Sequence, residues 1–185
     1  MPTTRRSSMS VEASSSLDGF DVLDICHRHT RFALGKLAAL VARLKRGRGP
    51  DPEARAIAAE IVHFFSTTAR AHHEDEERHV FPSLLSAADP EIVQAVLRLQ
   101  QDHHWLHIDW MELSPQLEAI AAGQTGCDID ALAEGAQVFI ALSHDHMTLE
   151  ESCIYPQARA RLRAVDRREM GREMAARRHA RHAPA

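Results

Sequence analysis

The sequence predicts an all-α fold, an up-down-up-down four-helix bundle, and three observations carry that expectation. Ala, Leu, Arg and Glu dominate the 185 residues, while Val, Ile, Thr and aromatic residues are sparse, a balance that favours helix over sheet. Apolar residues recur at helical spacing rather than in strict alternation. Capping and turn motifs divide the chain into four long segments with short connections, so neighbouring segments must run antiparallel.

The first helix is expected over residues 18–46, with Leu23, Leu34, Leu37, Leu40, Val41 and Leu44 as its apolar face, and Gly47-Arg48-Gly49-Pro50 ends it. Asp51-Pro52-Glu53 opens the second as a cap, a proline at the first helical position and a first-turn acid. That helix should reach about residue 88. Asp89-Pro90-Glu91 repeats the same start for the third, which extends to about residue 122 before a turn at 123–126. The fourth begins near Asp128 and passes Tyr155. Pro82, Pro115 and Pro156 fall inside these runs and are expected to kink or end a helix, since each removes a backbone donor.

Residues 1–17 are Ser/Thr-rich and read as a disordered arm; Arg5 and Arg6 precede no apolar stretch, so no secretory signal is expected. No apolar run approaches the roughly 20 residues of a membrane span, and a cytoplasmic location follows as the default. Cys26, Cys127 and Cys153 form no C-x-x-C pair, which argues against a disulfide framework or a thiolate zinc site. Residues 164–185 read as an Arg-rich helical extension. Nine arginines between 159 and 181 face only Asp166, Glu169 and Glu173. Interleaved Arg and Glu fit a solvated helix, with a clamp onto the acidic bundle as the other reading; deletion beyond about Val165 is expected to spare the site. No nucleic-acid fold accompanies the basic stretch, so nucleic acid is not expected as a partner.

Histidine is the anomaly: there are thirteen, eleven of them between His27 and His146. The chain also repeats at an offset of 74 residues. His72 and His146, Glu76 and Glu150, Glu77 and Glu151, Phe81 and Tyr155, and Pro82 and Pro156 correspond, and both copies read His-x-x-x-Glu-Glu-x-x-x-aromatic-Pro. Such a repeat implies approximate two-fold symmetry inside the bundle. On a helix, residues four apart share a face, so each His-x-x-x-Glu pair presents an imidazole and a carboxylate together. Nitrogen and oxygen donors without thiolates suit iron, manganese or zinc. His73 with Glu77 has the same spacing, but its repeat partner is Met147; His144 corresponds to Arg70. Both rank below the repeated pairs. Helix three offers His103 and His107 on one face, with His104 about 100° away, and helix one offers His27 or His29. Spacing leaves those choices open. Trp105, Trp110, Phe64, Phe65 and Phe81 read first as core packing and second as pocket lining, and Tyr155 reads as a packed aromatic with a donor role beside a metal as its alternative.

With one His on helix one, His-x-x-x-Glu on helix two, His on helix three and His-x-x-x-Glu on helix four, the chain resembles the hemerythrin-like (HHE cation-binding) family over residues 18–163. Residues 71–82 and 145–156 carry most of the likeness, and Asp102-His103 with Trp110 resembles the third-helix motif. The resemblance favours His27, which follows Cys26, and implies His27, His72, Glu76, His103, His146 and Glu150 as ligands to two non-haem iron ions. His103-x-x-x-His107 matches the third helix of the oxygen carriers, which adds His107. Those carriers use a His and a more distant Asp on helix four, and His146-x-x-x-Glu150 departs from that pattern. The implied function is binding or reduction of a small diatomic or peroxide ligand: dioxygen, nitric oxide or hydrogen peroxide. The alternatives are a non-catalytic oxygen or iron sensor, an iron store, and a structural zinc or manganese bundle.

Overall fold

Asp18 starts the fold: its carboxylate accepts the Phe20 N–H at 3.0 Å and caps α1 (Gly19–Lys45). Such a cap contributes about 1 kcal/mol. In this computed structural model, which describes residues 17–47, 49–86 and 89–182, every regular element is helical. The arm expected at residues 1–17 lies outside the described residues except for Leu17. Asp51 caps α2 (Pro52–His63) through the Ala54 N–H at 2.9 Å. The rod continues through a π-helical stretch (Phe64–Ala69) into α3 (Arg70–His79) and a short α4 (Phe81–Leu85). Asp89 caps α5 (Pro90–Ala121), which carries Pro115 in its interior without ending there. Asp128 caps α6 (Ile129–Leu149), followed by a second π-helical stretch (Glu150–Ile154) and α7 (Tyr155–Arg161).

Pro82 and Pro156 each stand at the start of a new short helix, so both open a segment rather than bend one. The π-helical stretches coincide with hydroxyls that bond back onto the preceding turn, Thr67 to the His63 carbonyl and Ser152 to that of Thr148, both at 2.6 Å. Such back-bonding loosens the regular ladder, and π segments concentrate where side chains must be re-aimed. Glycine closes two of the turns, with φ of +71° at Gly47 and +78° at Gly123.

Helix α1 packs against α2 and α6, and α5 packs against the same two, so the four long rods surround a common interior. Two apolar clusters fill it. One gathers Leu34, Leu37, Ile61, Phe65, Leu113, Leu117 and Phe139; the other gathers Phe20, Leu23, Phe81, Leu99, Ile154 and Tyr155. Between them lies a buried polar layer. His27 enters it because it occupies the same face of α1 as Leu23, Thr30 and Leu34. Among the described residues, no helix is long and apolar enough to cross a membrane.

The Arg-rich extension departs from the solvated helix the sequence suggests. Helix α8 (Ala164–His182) packs on α1 and buries Met170 and Met174 in the second cluster. Burial of two such side chains contributes about 2 kcal/mol each. A Cβ at Gly171 would collide with the Leu17 carbonyl oxygen, so the close approach of α8 requires glycine there. Arg167 pairs with Asp18 at 2.7 Å. Arg177 and Arg178 reach the buried Asp75 at 2.5 and 2.9 Å, and Glu173 meets His79 at 2.6 Å. The clamp reading describes this arrangement, and deletion beyond Val165 would remove it.

Candidate metal centre

Each His-x-x-x-Glu pair delivers its two side chains to the polar layer from adjacent turns. Glu76 and Glu150 are fully buried there, and each divides its oxygens between two directions. The Oε1 of Glu76 lies 3.4 Å from His72 Nε2, and its Oε2 lies 3.4 Å from His103 Nε2. The Oε1 of Glu150 lies 3.1 Å from His146 Nε2 and 4.0 Å from His103 Nε2, and its Oε2 lies 3.2 Å from His27 Nε2. Two groups of donor atoms result, each within 4.8 Å: His73, Glu76, His103 and His146 in one, and His27, His72, Glu76 and Glu150 in the other. Glu76 belongs to both.

A second layer of contacts orients the rings. Glu151 Oε1 accepts from His27 Nδ1 at 2.8 Å, and Arg31 holds Glu151 Oε2 at 2.6 Å. Glu77 Oε1 accepts from His103 Nδ1, also at 2.8 Å. A proton fixed on Nδ1 leaves the Nε2 lone pair facing inward, the tautomer a metal requires. Tyr155 stacks on His27 with ring centroids 5.3 Å apart, and Phe81 stacks on His103 at 5.5 Å. The Tyr155 hydroxyl donates to Glu76 Oε1 at 2.5 Å and lies 3.1 Å from His27 Nε2.

Several inward atoms have no hydrogen-bond partner among the described residues: Glu76 Oε2, both Glu150 oxygens, His103 Nε2 and His146 Nε2. A buried polar atom left unpaired costs about 1–3 kcal/mol, so a cluster of converging lone pairs demands a shared electrophile. The donor set therefore fits metal ions. Burial pushes His72 down to about 3 and holds His73 well below the ordinary histidine range, which keeps both rings neutral and able to ligate. Burial, reinforced by the Glu76 charge, pushes Glu150 well above the carboxylate range. The same burial acts on Glu76, but His72 and His103 overcome it and hold that carboxyl low. Cys26, pushed up to about 12 chiefly by burial, stays a neutral thiol beside His27.

Of the residues expected from sequence, the structure brings His27, His72, Glu76, His103, His146 and Glu150 together. His107 joins neither donor group; it is exposed and lines a cavity leading away from them. His29 is exposed as well. The 74-residue repeat ranks His73 below the paired ligands because Met147 stands at its counterpart, yet its ring lies 4.1 Å from that of His103 and joins the first donor group. The His73–Glu77 spacing was the available signal. Asp102 is a further addition, with Oδ2 3.8 Å from His146 Nδ1.

A sequence model described as the hemerythrin HHE cation binding domain matches residues 18–158. A Haemophilus influenzae protein described as uncharacterized is 36% identical over 119 residues, covering 64% of this chain and 66% of that protein. The match thus spans just under two thirds of that relative's length.

Proposed function

The chain belongs to the hemerythrin HHE cation-binding domain family, and from that premise we propose a non-haem di-iron protein that binds or reduces small oxidants: dioxygen, hydrogen peroxide or nitric oxide. One observation carries the reading. Glu76 directs one oxygen toward His72 and the other toward His103, and Glu150 directs one toward His146 and the other toward His27, so both carboxylates would be placed to hold two ions. His73, His103 and His146 would serve one ion and His27 and His72 the other, with no thiolate in either set. Bound iron would supply the electrons and the open coordination position for the oxidant.

The chain's own residues do the rest. Glu77 and Glu151 hold the proton on Nδ1 of His103 and His27 and keep both rings aimed inward. Tyr155 keeps its proton, because burial and the Glu76 and Glu150 charges raise it well above the usual phenol range. Its hydroxyl is a fixed hydrogen-bond donor 2.5 Å from Glu76 Oε1, on the side with fewer histidines. The two apolar clusters flank the layer, and the cavity beside the histidine rings is its route to solvent. We read the scaffold as an up-down-up-down bundle with an internal two-fold pseudo-repeat, supported by the matched roles of Glu77 and Glu151. Three free cysteines among the described residues agree with a cytoplasmic setting.

The test is to reconstitute the protein with ferrous iron and record metal content, visible spectrum and peroxide or nitric oxide consumption. Two irons per chain with a bridged ferric absorption support the reading. Exclusive binding of zinc removes it. His146→Ala should lower iron content sharply, and His179→Ala should not.

A further inference from the structure

The cavity beside the candidate centre has a volume of about 650 Å³. A water molecule takes a share of about 30 Å³, and dioxygen or peroxide needs little more than about two such shares. Sites for organic ligands span roughly 300–1,000 Å³. The space is therefore sized for an organic molecule, not for the diatomic or peroxide ligands alone. It begins at the rings of His72, His73, His103 and His146 and opens between the α2–α3 rod and α5.

Its far wall is a packed aromatic triad. Phe65 lies 5.1 Å from Trp110 and 5.0 Å from Phe139, and Trp110 lies 5.8 Å from Phe139. Three polar contacts in the lining are satisfied within the protein. Trp110 Nε1 donates to Ser66 Oγ at 3.2 Å, Ser143 Oγ to the Phe139 carbonyl at 2.7 Å, and Thr30 Oγ1 to the Cys26 carbonyl at 3.0 Å. At the histidine end, His72 Nδ1 and His146 Nδ1 are buried and lack hydrogen-bond partners. A ligand would thus meet an aromatic wall at one end and imidazole rings at the other. Near the mouth, Glu74, Glu77 and Glu118 outnumber Arg70, and Arg70 lies 3.5 Å from Glu74. That excess of negative charge disfavours an anion.

We propose that this cavity binds a neutral, predominantly apolar organic molecule of about bicyclic aromatic size, held between the aromatic triad and the histidine rings. The site does not require the di-iron reading.

The probe is N-phenyl-1-naphthylamine, neutral and fluorescent only when removed from water, titrated into iron-loaded and metal-free protein. Saturable enhancement with one probe per chain is expected, and its absence from both forms overturns the site. Competition supplies a test that needs no variant: naphthalene should displace the probe, and dodecanoate should not at neutral pH. Equal displacement by dodecanoate overturns the assignment to neutral ligands. Ala69→Trp puts an indole into the cavity and should weaken probe binding at least tenfold, with circular dichroism and iron content unchanged. Unchanged affinity in that folded variant places the probe elsewhere and overturns the proposal. Iron content of the same samples separates the two readings, because probe binding to protein that takes up no iron leaves this site standing and removes the di-iron proposal.

Discussion

The side of the centre held by His27 and the side held by His103 share a frame and differ in chemistry. On each, a glutamate from the other half of the repeat holds Nδ1 at 2.8 Å, Glu151 for His27 and Glu77 for His103. On each, an aromatic residue stacks on the same ring, Tyr155 on His27 and Phe81 on His103. The differences fall at single repeat positions. His73 adds a third imidazole where its counterpart Met147 is apolar; Tyr155 adds a hydroxyl where Phe81 has none; and Asp75 adds a buried charge where Leu149 stands. A duplicated scaffold fixes where side chains go, and departures from the duplication decide what each side does.

The largest expected effect lies at Asp75, the difference that recruits α8. Deleting residues after Arg163 removes Met170 and Met174 from the core and strips Asp75 of Arg177 and Arg178. Loss of the two buried methionines costs about 2 kcal/mol each, and loss of the part-exposed Asp75 pairs adds about 1 kcal/mol. Against a usual total of about 5–15 kcal/mol, the truncated chain should be marginal in urea unfolding. Equal stability of truncated and full-length protein would show that α8 contributes nothing.

Next comes the third imidazole. His73→Met makes the two arms alike and should reduce iron content toward one ion per chain, while His107→Ala should leave it at two. A reversal of those outcomes would return the ligand role to His107. Smaller again is the effect of the orienting carboxylates. Glu77→Gln and Glu151→Gln should each weaken metal affinity by about 10–100-fold, and a large disparity between them would break the likeness of the two sides. Least disruptive is Tyr155→Phe, which copies Phe81. It should retain both ions and cost about 1 kcal/mol for a lost hydrogen bond, with slower oxidant turnover as its separate signature.

Much of this was legible in the sequence, for physical reasons. Asp18, Asp51, Asp89 and Asp128 signal helix starts because a carboxylate beside exposed N–H groups has few other uses. His72 with Glu76 and His146 with Glu150 declare a shared face through four-residue spacing. His73 was outranked because the repeat measures resemblance between halves, and this residue is where the halves differ. Helix α8 reads as solvated because its arginines dominate the composition, although Met170, Gly171 and Met174 recur on one face. The cavity is lined by side chains from four separate rods, which no local pattern encodes.

Glu76 is the residue common to both donor groups, so metal stoichiometry of Glu76→Ala beside the unmodified protein, after anaerobic loading with ferrous iron, tests the shared-carboxylate centre most directly. Two ions per unmodified chain and near-complete loss of both from the folded variant are expected. Retention of both ions without Glu76, or failure of the unmodified chain to bind more than one, would contradict it.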